Sequence, residues 1–155
     1  MDAIDRKILS ILGRDGRISA TNLASEIALS TSATTDRLRR LAASPVVRRF
    51  TVDIDPAAIG RSLTVFIDMR LRREADKGAA DAALLALDGI VDARHVTGRY
   101  DYQLHVVAID VDDLDQLLEA LRDRVGAEET VTRLALRTVA GFPRQPAIAN
   151  GHVNS

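Results

Sequence analysis

Short hydroxyl side chains followed by arginines occupy one side of a predicted helix near the start of the chain. At about 100° per residue, Ser32, Asp36 and Arg39 project from the side opposite to Leu38 and Leu41. Such a surface suits a DNA major groove, which offers base edges to short polar side chains and phosphates to cations. The predicted DNA contacts are Ser30, Thr31, Ser32, Thr35, Asp36, Arg37, Arg39, Arg40, Arg48 and Arg49.

Two short helices joined by a turn are expected to position this surface. The first of them carries an apolar stripe of Leu23, Ala24, Ile27 and Ala28. Ser30 is predicted to cap the second, over residues 31–42, because its hydroxyl can accept a hydrogen bond from an unpaired amide of the first turn. Thr34 lies with Leu38 and Leu41 on the inward side.

A helix is predicted before this pair and a strand after it. Asp2 is the expected cap of the first helix, whose inward residues are Ile4, Ile8, Leu9, Ile11 and Leu12. Pro45 ends the third helix because proline lacks the amide proton. Residues 46–54 alternate as a strand would, and this places Arg48 and Arg49 on a wing that would touch phosphates. We therefore predict a winged helix-turn-helix domain over residues 1–50 and a linker strand and turn over 51–62.

From Arg61 the hydrophobic period changes to two, with Leu63 as the first apolar residue of the series and Phe66 as an unusual outward aromatic. The predicted elements are strand 63–71, helix 77–87, strand 91–97, strand 102–109, a helix from Asp112 or Asp113, and strand 129–139. This βαββαβ order is that of the ferredoxin-like split unit, so the fold class is α+β with a second domain over 63–140. Helices on one face of an antiparallel sheet leave the other face bare, which favours self-association. Residues 141–155 are predicted to form a flexible tail.

Composition and charge agree with a globular DNA-binding protein. The 155 residues are 46 % hydrophobic and 28 % charged, which is typical of globular domains. The net charge of −1 hides an asymmetry, because residues 1–50 hold nine Lys and Arg against five acids. A basic end on an acidic body indicates that one end meets a polyanion. The absence of cysteine from the sequence excludes disulfides and thiolate sites. No signal or membrane-spanning stretch is evident, so a cytoplasmic protein is expected.

In its order and spacing of motifs, the chain resembles the leucine-responsive/asparagine-regulator (Lrp/AsnC, feast/famine) family of transcriptional regulators over residues 2–140. The segments that carry the resemblance are Asp2–Leu9, Arg17–Ser19 with Leu23 and Ala24, Leu29 and Ser30, Arg37–Leu41, Asp55 and Pro56 with Gly60, and Val96–Asp101. It implies a RAM-type second domain, paired reading helices on double-stranded operator DNA, and a homodimer that often forms tetramers or octamers.

The resemblance also implies an amino acid or related metabolite as effector, bound between subunits near residues 98–101. There, Gly98 permits backbone angles that free amides for a carboxylate, and Asp101 could accept from an ammonium group. The predicted effector contacts are Thr97, Gly98, Arg99, Tyr100, Asp101, Thr130 and Thr132. The resemblance implies no enzymatic activity, cofactor or metal.

Four residues depart from the family pattern. Arg99 stands where the family loop usually has aspartate, which changes the local charge and implies either a different effector or none. Asp36 often has a basic counterpart, and as an acid it would alter specificity by accepting from a cytosine amino group. Thr34 replaces an aliphatic residue, and Pro45 replaces a glycine before the wing.

Other interpretations remain open at this stage. Arg37, Arg39 and Arg40 could form a solvated face with an Asp36–Arg40 pair, and the 98–101 glycine and aspartate could serve turn geometry alone. A few proteins resembling this family are haem-precursor (sirohaem-type) decarboxylases, and His95 and His105 would be the residues for that chemistry. A third candidate is a metabolite-sensing interaction protein with little DNA affinity.

Overall fold

The computed structural model of the chain describes residues 1–139. They divide into two compact units, residues 1–52 and residues 53–139. The predicted tail over 141–155 lies outside the described residues.

The first unit is built from three helices: α1 (Ala3–Leu12), α2 (Ala20–Ile27) and α3 (Thr31–Ala42). Asp2 and Ser30 cap α1 and α3 as predicted, and Ser19 caps α2. These caps satisfy amide protons that have no partner inside the helix. The helices enclose a core of buried residues from each of them: Ile8, Ile11, Leu23, Ile27 and Leu41.

Two predictions for this unit are wrong. Ala28 is exposed and is not part of the buried stripe, because it ends α2 in the left-handed conformation with φ 57°. Residues 46–54 form no strand. Alternating residues become a strand only beside a partner that takes up their backbone hydrogen bonds, and the described part of this unit contains no strand to pair with. The linker predicted over 51–62 likewise contains no strand: residues 51–55 are irregular, and the predicted turn is present as a short 3₁₀ helix, Pro56–Ile59, that ends at Gly60.

The second unit is a four-stranded antiparallel sheet with two helices on one face. Its elements are β1 (Leu63–Leu71), α4 (Lys77–Leu85), β2 (Ile90–His95), β3 (Tyr102–Ala108), α5 (Val111–Ala120) and β4 (Ala127–Leu134), in the strand order β2-β3-β1-β4. This confirms the βαββαβ architecture. The structure shortens the predicted helix 77–87 and ends the last strand at Leu134, and it starts α5 at a cap on Asp110. A π-helical turn, Leu121–Val125, follows α5.

Alternation along β1 separates the two faces of the sheet. Val65, Ile67 and Met69 are fully buried against the helices. Phe66 lies on the opposite face, as predicted, and stacks on His105 with ring centroids 5.0 Å apart. We call the side of the sheet that carries no helix the open face. Cross-strand pairing places six residues on it: Phe66, Asp68, Gln103, His105, Val131 and Arg133.

Gly89 lies at the turn into β2, where the backbone of Val107 comes so close that only glycine fits. Its φ is +83°, and an added Cβ would lie 2.8 Å from the carbonyl oxygen of Val107. That approach is fixed because the Val107 amide donates to the Gly89 carbonyl at 2.8 Å. A side chain here therefore meets both backbone strain and a clash.

We expect Gly89→Ala to destabilise the second unit by about 2–4 kcal/mol in urea unfolding. Gly60→Ala is the matched control, because Gly60 has a similar φ of +85° with nothing within 4 Å of an added Cβ. It should lose only about 1 kcal/mol, the strain of the left-handed conformation. Equal losses in the two variants would show that the approach to Val107 is unimportant.

Candidate nucleic-acid interface and ligand site

Helix α3 presents a polar side to solvent. Ser32, Asp36, Arg39 and Arg40 are exposed there, and the side chain of Arg39 is 75 % exposed. The other side of the helix is fixed in the core by Leu41 and by Thr34, whose side chain is fully buried. The Thr34 hydroxyl donates to the Ser30 carbonyl at 2.9 Å, so its burial leaves no unpaired donor. The predicted orientation of α3 is therefore confirmed.

The hydroxyls at the start of α3 take part in local hydrogen bonds. The Ser30 hydroxyl accepts from the Ala33 amide at 3.2 Å as the cap. The half-buried Thr35 donates to the carbonyl of Thr31 at 2.8 Å. Both hydrogen bonds are made within α3 and its cap. They fix the orientation of the small polar side chains at the N-terminal turn of the helix.

Asp36 and Arg39 form an ion pair on the exposed side of α3. Arg39 Nη1 lies 3.0 Å from Asp36 Oδ1, three residues apart, so the predicted Asp36–Arg40 pairing is replaced by this one. Because both side chains are more than half exposed, the pair adds at most about 0.5 kcal/mol. A nucleic acid could separate the two groups at little cost.

Arg37 is oriented differently from the other arginines of α3. Its Nη1 lies 2.6 Å from Oδ2 of Asp2, the cap of α1, and 2.7 Å from Oδ1 of Asp5 in the first turn of that helix. The hydrogen bond from the Asp5 amide and the one from Arg37 lower the pKa of Asp2. Burial raises the pKa of Asp5, but the hydrogen bonds from the Asp2 amide and from Arg37 outweigh it, so that pKa is lowered too. The two carboxylates likewise raise the pKa of Arg37.

These shifts predict an acid-sensitive contribution to stability. A carboxylate with a lowered folded-state pKa stabilises the fold fully above its unfolded value and loses that effect as the pH falls through the folded value. The window therefore lies below the ordinary aspartate pKa of 3.8. We expect Asp5→Asn to lower the free energy of unfolding at about pH 7 and to have little effect at about pH 2. A pH-independent difference in urea titrations would contradict this cause.

Arg48 and Arg49 lie after Pro45 in the irregular segment, and both are exposed. They are the cations predicted for a wing. The structure places them on irregular backbone, without a strand to fix their direction.

The loop over residues 97–101 is the predicted ligand site. Gly98 adopts φ +108° and has nothing within 4 Å of an added Cβ, so its backbone is open on that side. Thr97 is exposed. Asp101 is already engaged, since its Oδ2 accepts from the Leu71 amide at 2.9 Å and its Oδ1 lies 3.1 Å from Lys77 Nζ. The Leu71 hydrogen bond is the main reason that the pKa of Asp101 is lowered.

Arg99 links this loop to β4. Its Nη2 lies 2.5 Å from Glu129 Oε1, and its guanidinium lies 5.5 Å from the centre of the Tyr100 ring. The second oxygen of Glu129 lies 3.1 Å from Arg70 Nη2. Sequence reasoning missed Glu129, Arg70 and Lys77, because these partners are distant in the chain and no local motif marks them.

Thr130 and Thr132 are not brought together with Glu129. They pair with Met69 and Ile67, which face the helices. Successive residues of a strand point to opposite faces, so the two threonines and Glu129 lie on different sides of the sheet. The predicted effector contacts therefore do not form a single cluster within one chain.

His95 and His105 lie on opposite faces of the sheet. His95 Nε2 is 3.0 Å from Asp81 Oδ1 on α4, and its ring packs 4.3 Å from that of Tyr102. His105 stacks on Phe66 on the open face. The two histidines do not meet at one site within the chain, so the decarboxylase alternative is not supported.

Within residues 1–139, no group of three or more His, Asp or Glu side chains is arranged to hold a metal ion. Over the same range, none of the helices combines the length and the apolar character needed to cross a bilayer.

Comparison with known proteins identifies the class. Residues 1–42 match the AsnC-type helix-turn-helix domain and residues 64–144 match the Lrp/AsnC ligand binding domain. The leucine-responsive regulatory protein of Salmonella typhimurium is 33 % identical over 90 % of this chain and 87 % of its own length. The HTH-type transcriptional regulator AldR of Mycobacterium tuberculosis is 32 % identical over 91 % of this chain and 80 % of its own length.

A solved structure agrees with these relatives. The feast or famine regulatory protein from M. tuberculosis, complexed with L-methionine, has a TM-score of 0.87 and 29 % identity over 94 % of this chain and 98 % of that one. The chain therefore belongs to the Lrp/AsnC family of transcriptional regulators, with an N-terminal DNA-binding domain and a C-terminal ligand-binding domain.

Proposed function

We propose that α3 enters the major groove of an operator and reads it through Ser32, Asp36 and Arg39. The observation that carries this proposal is the exposed polar side of α3, whose apolar side is fixed in the helical core. Arg39 can donate two hydrogen bonds to a guanine, and Asp36 can accept one from a cytosine. The backbone phosphates would be met by Arg40, Arg48 and Arg49 and by the hydroxyl groups of Ser30 and Thr31. Thr35 would reach a phosphate only by giving up its hydrogen bond to the Thr31 carbonyl.

We also propose that two copies associate through the open face and present two α3 helices. The sheet has helices on one side only, and Phe66 remains 40 % exposed at the centre of the other. Further association into tetramers or octamers belongs to the same proposal. Light scattering should give at least the mass of two chains, and a monomer of 16.8 kDa would contradict it.

The proposed effector is an amino acid or a related metabolite, bound at the 97–101 loop. The open backbone at Gly98 supports it, as does the L-methionine complex of the mycobacterial relative. The ammonium group of the ligand would bind the Asp101 carboxylate, which also binds Lys77. The guanidinium of Arg99 would supply a positive charge to the site, next to the Tyr100 ring. Thr130 and Thr132 lie on the helix-covered face of the sheet. They would contact a ligand only if it extended around β4, the strand at the edge of the sheet.

Two experiments test this function. Selection from random duplexes should yield an operator that binds about 10³-fold more tightly than unselected DNA at the same salt concentration, whereas equal affinities would contradict a specific regulator. Thermal unfolding with each of the twenty amino acids should identify a ligand that raises the midpoint, because a ligand that binds only the folded form stabilises it. A flat result over all twenty would contradict an amino-acid effector.

The protein acts as a regulator and not as an enzyme in this proposal. Its relatives are named as transcriptional regulators, and the two histidines that motivated an enzyme are separated by the sheet. A regulator of bacterial or archaeal type would act in the cytoplasm, where the DNA of those cells resides.

A further inference from the structure

The contact between Arg37 and α1 joins the middle of the reading helix to the start of the chain. The Arg37 side chain is 22 % exposed and that of Asp5 is 15 % exposed, so the Arg37–Asp5 contact is far more enclosed than the Asp36–Arg39 pair, whereas Asp2, at 51 %, lies at its solvent edge. Charge-assisted hydrogen bonds of this length are among the stronger polar contacts in proteins. The pairing therefore constrains α3 where an exposed pair would not.

The two acids are themselves held rigidly. Asp2 Oδ1 accepts from the Asp5 amide at 2.8 Å, and Asp5 Oδ2 accepts from the Asp2 amide at 3.1 Å. The remaining oxygen of each carboxylate faces Arg37. Each acid thus uses one oxygen to cap α1 and the other to bind α3, so the cap serves as an anchor for the reading helix.

Arg37 follows Asp36 directly and precedes Arg39 by two residues. A rotation of α3 about its axis would displace all three side chains together, since they share one rigid helix. Contacts that discriminate among bases require placement to within about 0.5 Å. A group that fixes the rotation of α3 would therefore act on specificity without touching DNA.

We propose that Arg37, held by Asp2 and Asp5, is a positioning residue that sets the rotation of α3 for base recognition. This inference rests on the proposed DNA-binding function. It replaces the prediction that Arg37 contacts DNA directly, because Nη1 of its guanidinium is bound by two carboxylates at the start of α1.

Replacing Asp5 should change DNA affinity in the direction opposite to that expected from net charge alone. Asp5→Asn removes a negative charge from the DNA-binding unit, and this alone would tighten binding to a polyanion. If Asp5 anchors α3, the same change weakens operator binding instead. Glu26→Gln is the matched control, because Glu26 is an exposed acid of α2 in the same unit and its replacement makes the same change in charge.

The test measures the dissociation constants of wild type, Arg37→Gln, Asp5→Asn and Glu26→Gln for the selected operator and for random duplex DNA, over a series of salt concentrations. All assays are run well below the measured unfolding midpoint of each variant. We expect Arg37→Gln and Asp5→Asn to weaken operator binding roughly fivefold or more, with the salt dependence preserved and with random-DNA affinity changed only by the small effect of one altered charge. Glu26→Gln should bind the operator as tightly as wild type or more tightly.

Two results would overturn the inference. Arg37→Gln could weaken operator and random DNA equally and reduce the slope of log affinity against log salt by about 0.9, the signature of one lost phosphate contact. Alternatively, Asp5→Asn could bind the operator as tightly as Glu26→Gln. If wild type itself failed to prefer any DNA sequence, the proposed function would fail instead, so the two failures are distinguishable.

Discussion

Arg39→Ala is expected to weaken binding to the selected operator by about 1–3 kcal/mol, or roughly 5- to 150-fold in Kd. The reason is the loss of a bidentate donor to a guanine, which no neighbouring side chain of α3 can replace. The cost of separating Arg39 from Asp36 is small because both are exposed. Affinity should be measured by fluorescence anisotropy on the operator and on single-base variants of it.

The control for Arg39 is Arg14→Ala. Arg14 is an exposed arginine just after α1 in the same unit, so its replacement makes the same change in net charge. It should reduce operator and random-DNA affinity by similar, smaller factors. In Arg39→Ala the loss should instead be concentrated at one base position. Equal losses for the two variants, or an unchanged operator affinity for Arg39→Ala, would count against Arg39 as a reader.

Gly98→Glu is expected to abolish the thermal shift produced by the effector while leaving DNA binding at low salt intact. The new side chain would occupy the open space beside the loop, and its carboxylate would repel that of an amino acid. Isothermal titration calorimetry with the ligand found in the screen measures the loss directly.

Gly60→Glu provides a matched comparison for Gly98. Both glycines have positive φ, +85° and +108°, and neither has an atom within 4 Å of an added Cβ. The backbone strain is therefore similar, whereas Gly60 lies in the turn after the 3₁₀ helix, outside the proposed site. Gly60→Glu should retain the ligand response. If both variants lose it, the effect is one of strain and not of the site.

The sequence predicted α3 to its terminal residues because its signals are local. A capping serine marks the start, the apolar residues recur at the helical period, and Pro45 follows the end. The strands of the second unit were predictable for a similar reason, since Val65, Ile67 and Met69 alternate with polar or exposed neighbours along β1. The ends of these strands differ from the predicted ends by a few residues, because a strand ends where its hydrogen-bonding partner ends.

Features that depend on distant residues were not predictable. The strand over 46–54 fails because a strand needs a neighbour, which alternation in one segment cannot supply. Arg37 was placed with the DNA contacts since nothing near it in sequence reveals its pairing with Asp2 and Asp5, more than thirty residues away. The same applies to Arg99, whose partner Glu129 lies on another strand.

Methylation interference on the selected operator tests the central proposal most directly, because dimethyl sulfate modifies guanine N7 in the major groove, where Arg39 would bind. We predict that methylation of a guanine in each of two half-sites blocks binding, with centres about 10 base pairs apart or a multiple of that. Arg39→Ala should remove this sensitivity. Binding that is indifferent to N7 methylation at every guanine would contradict the insertion of α3 into the major groove.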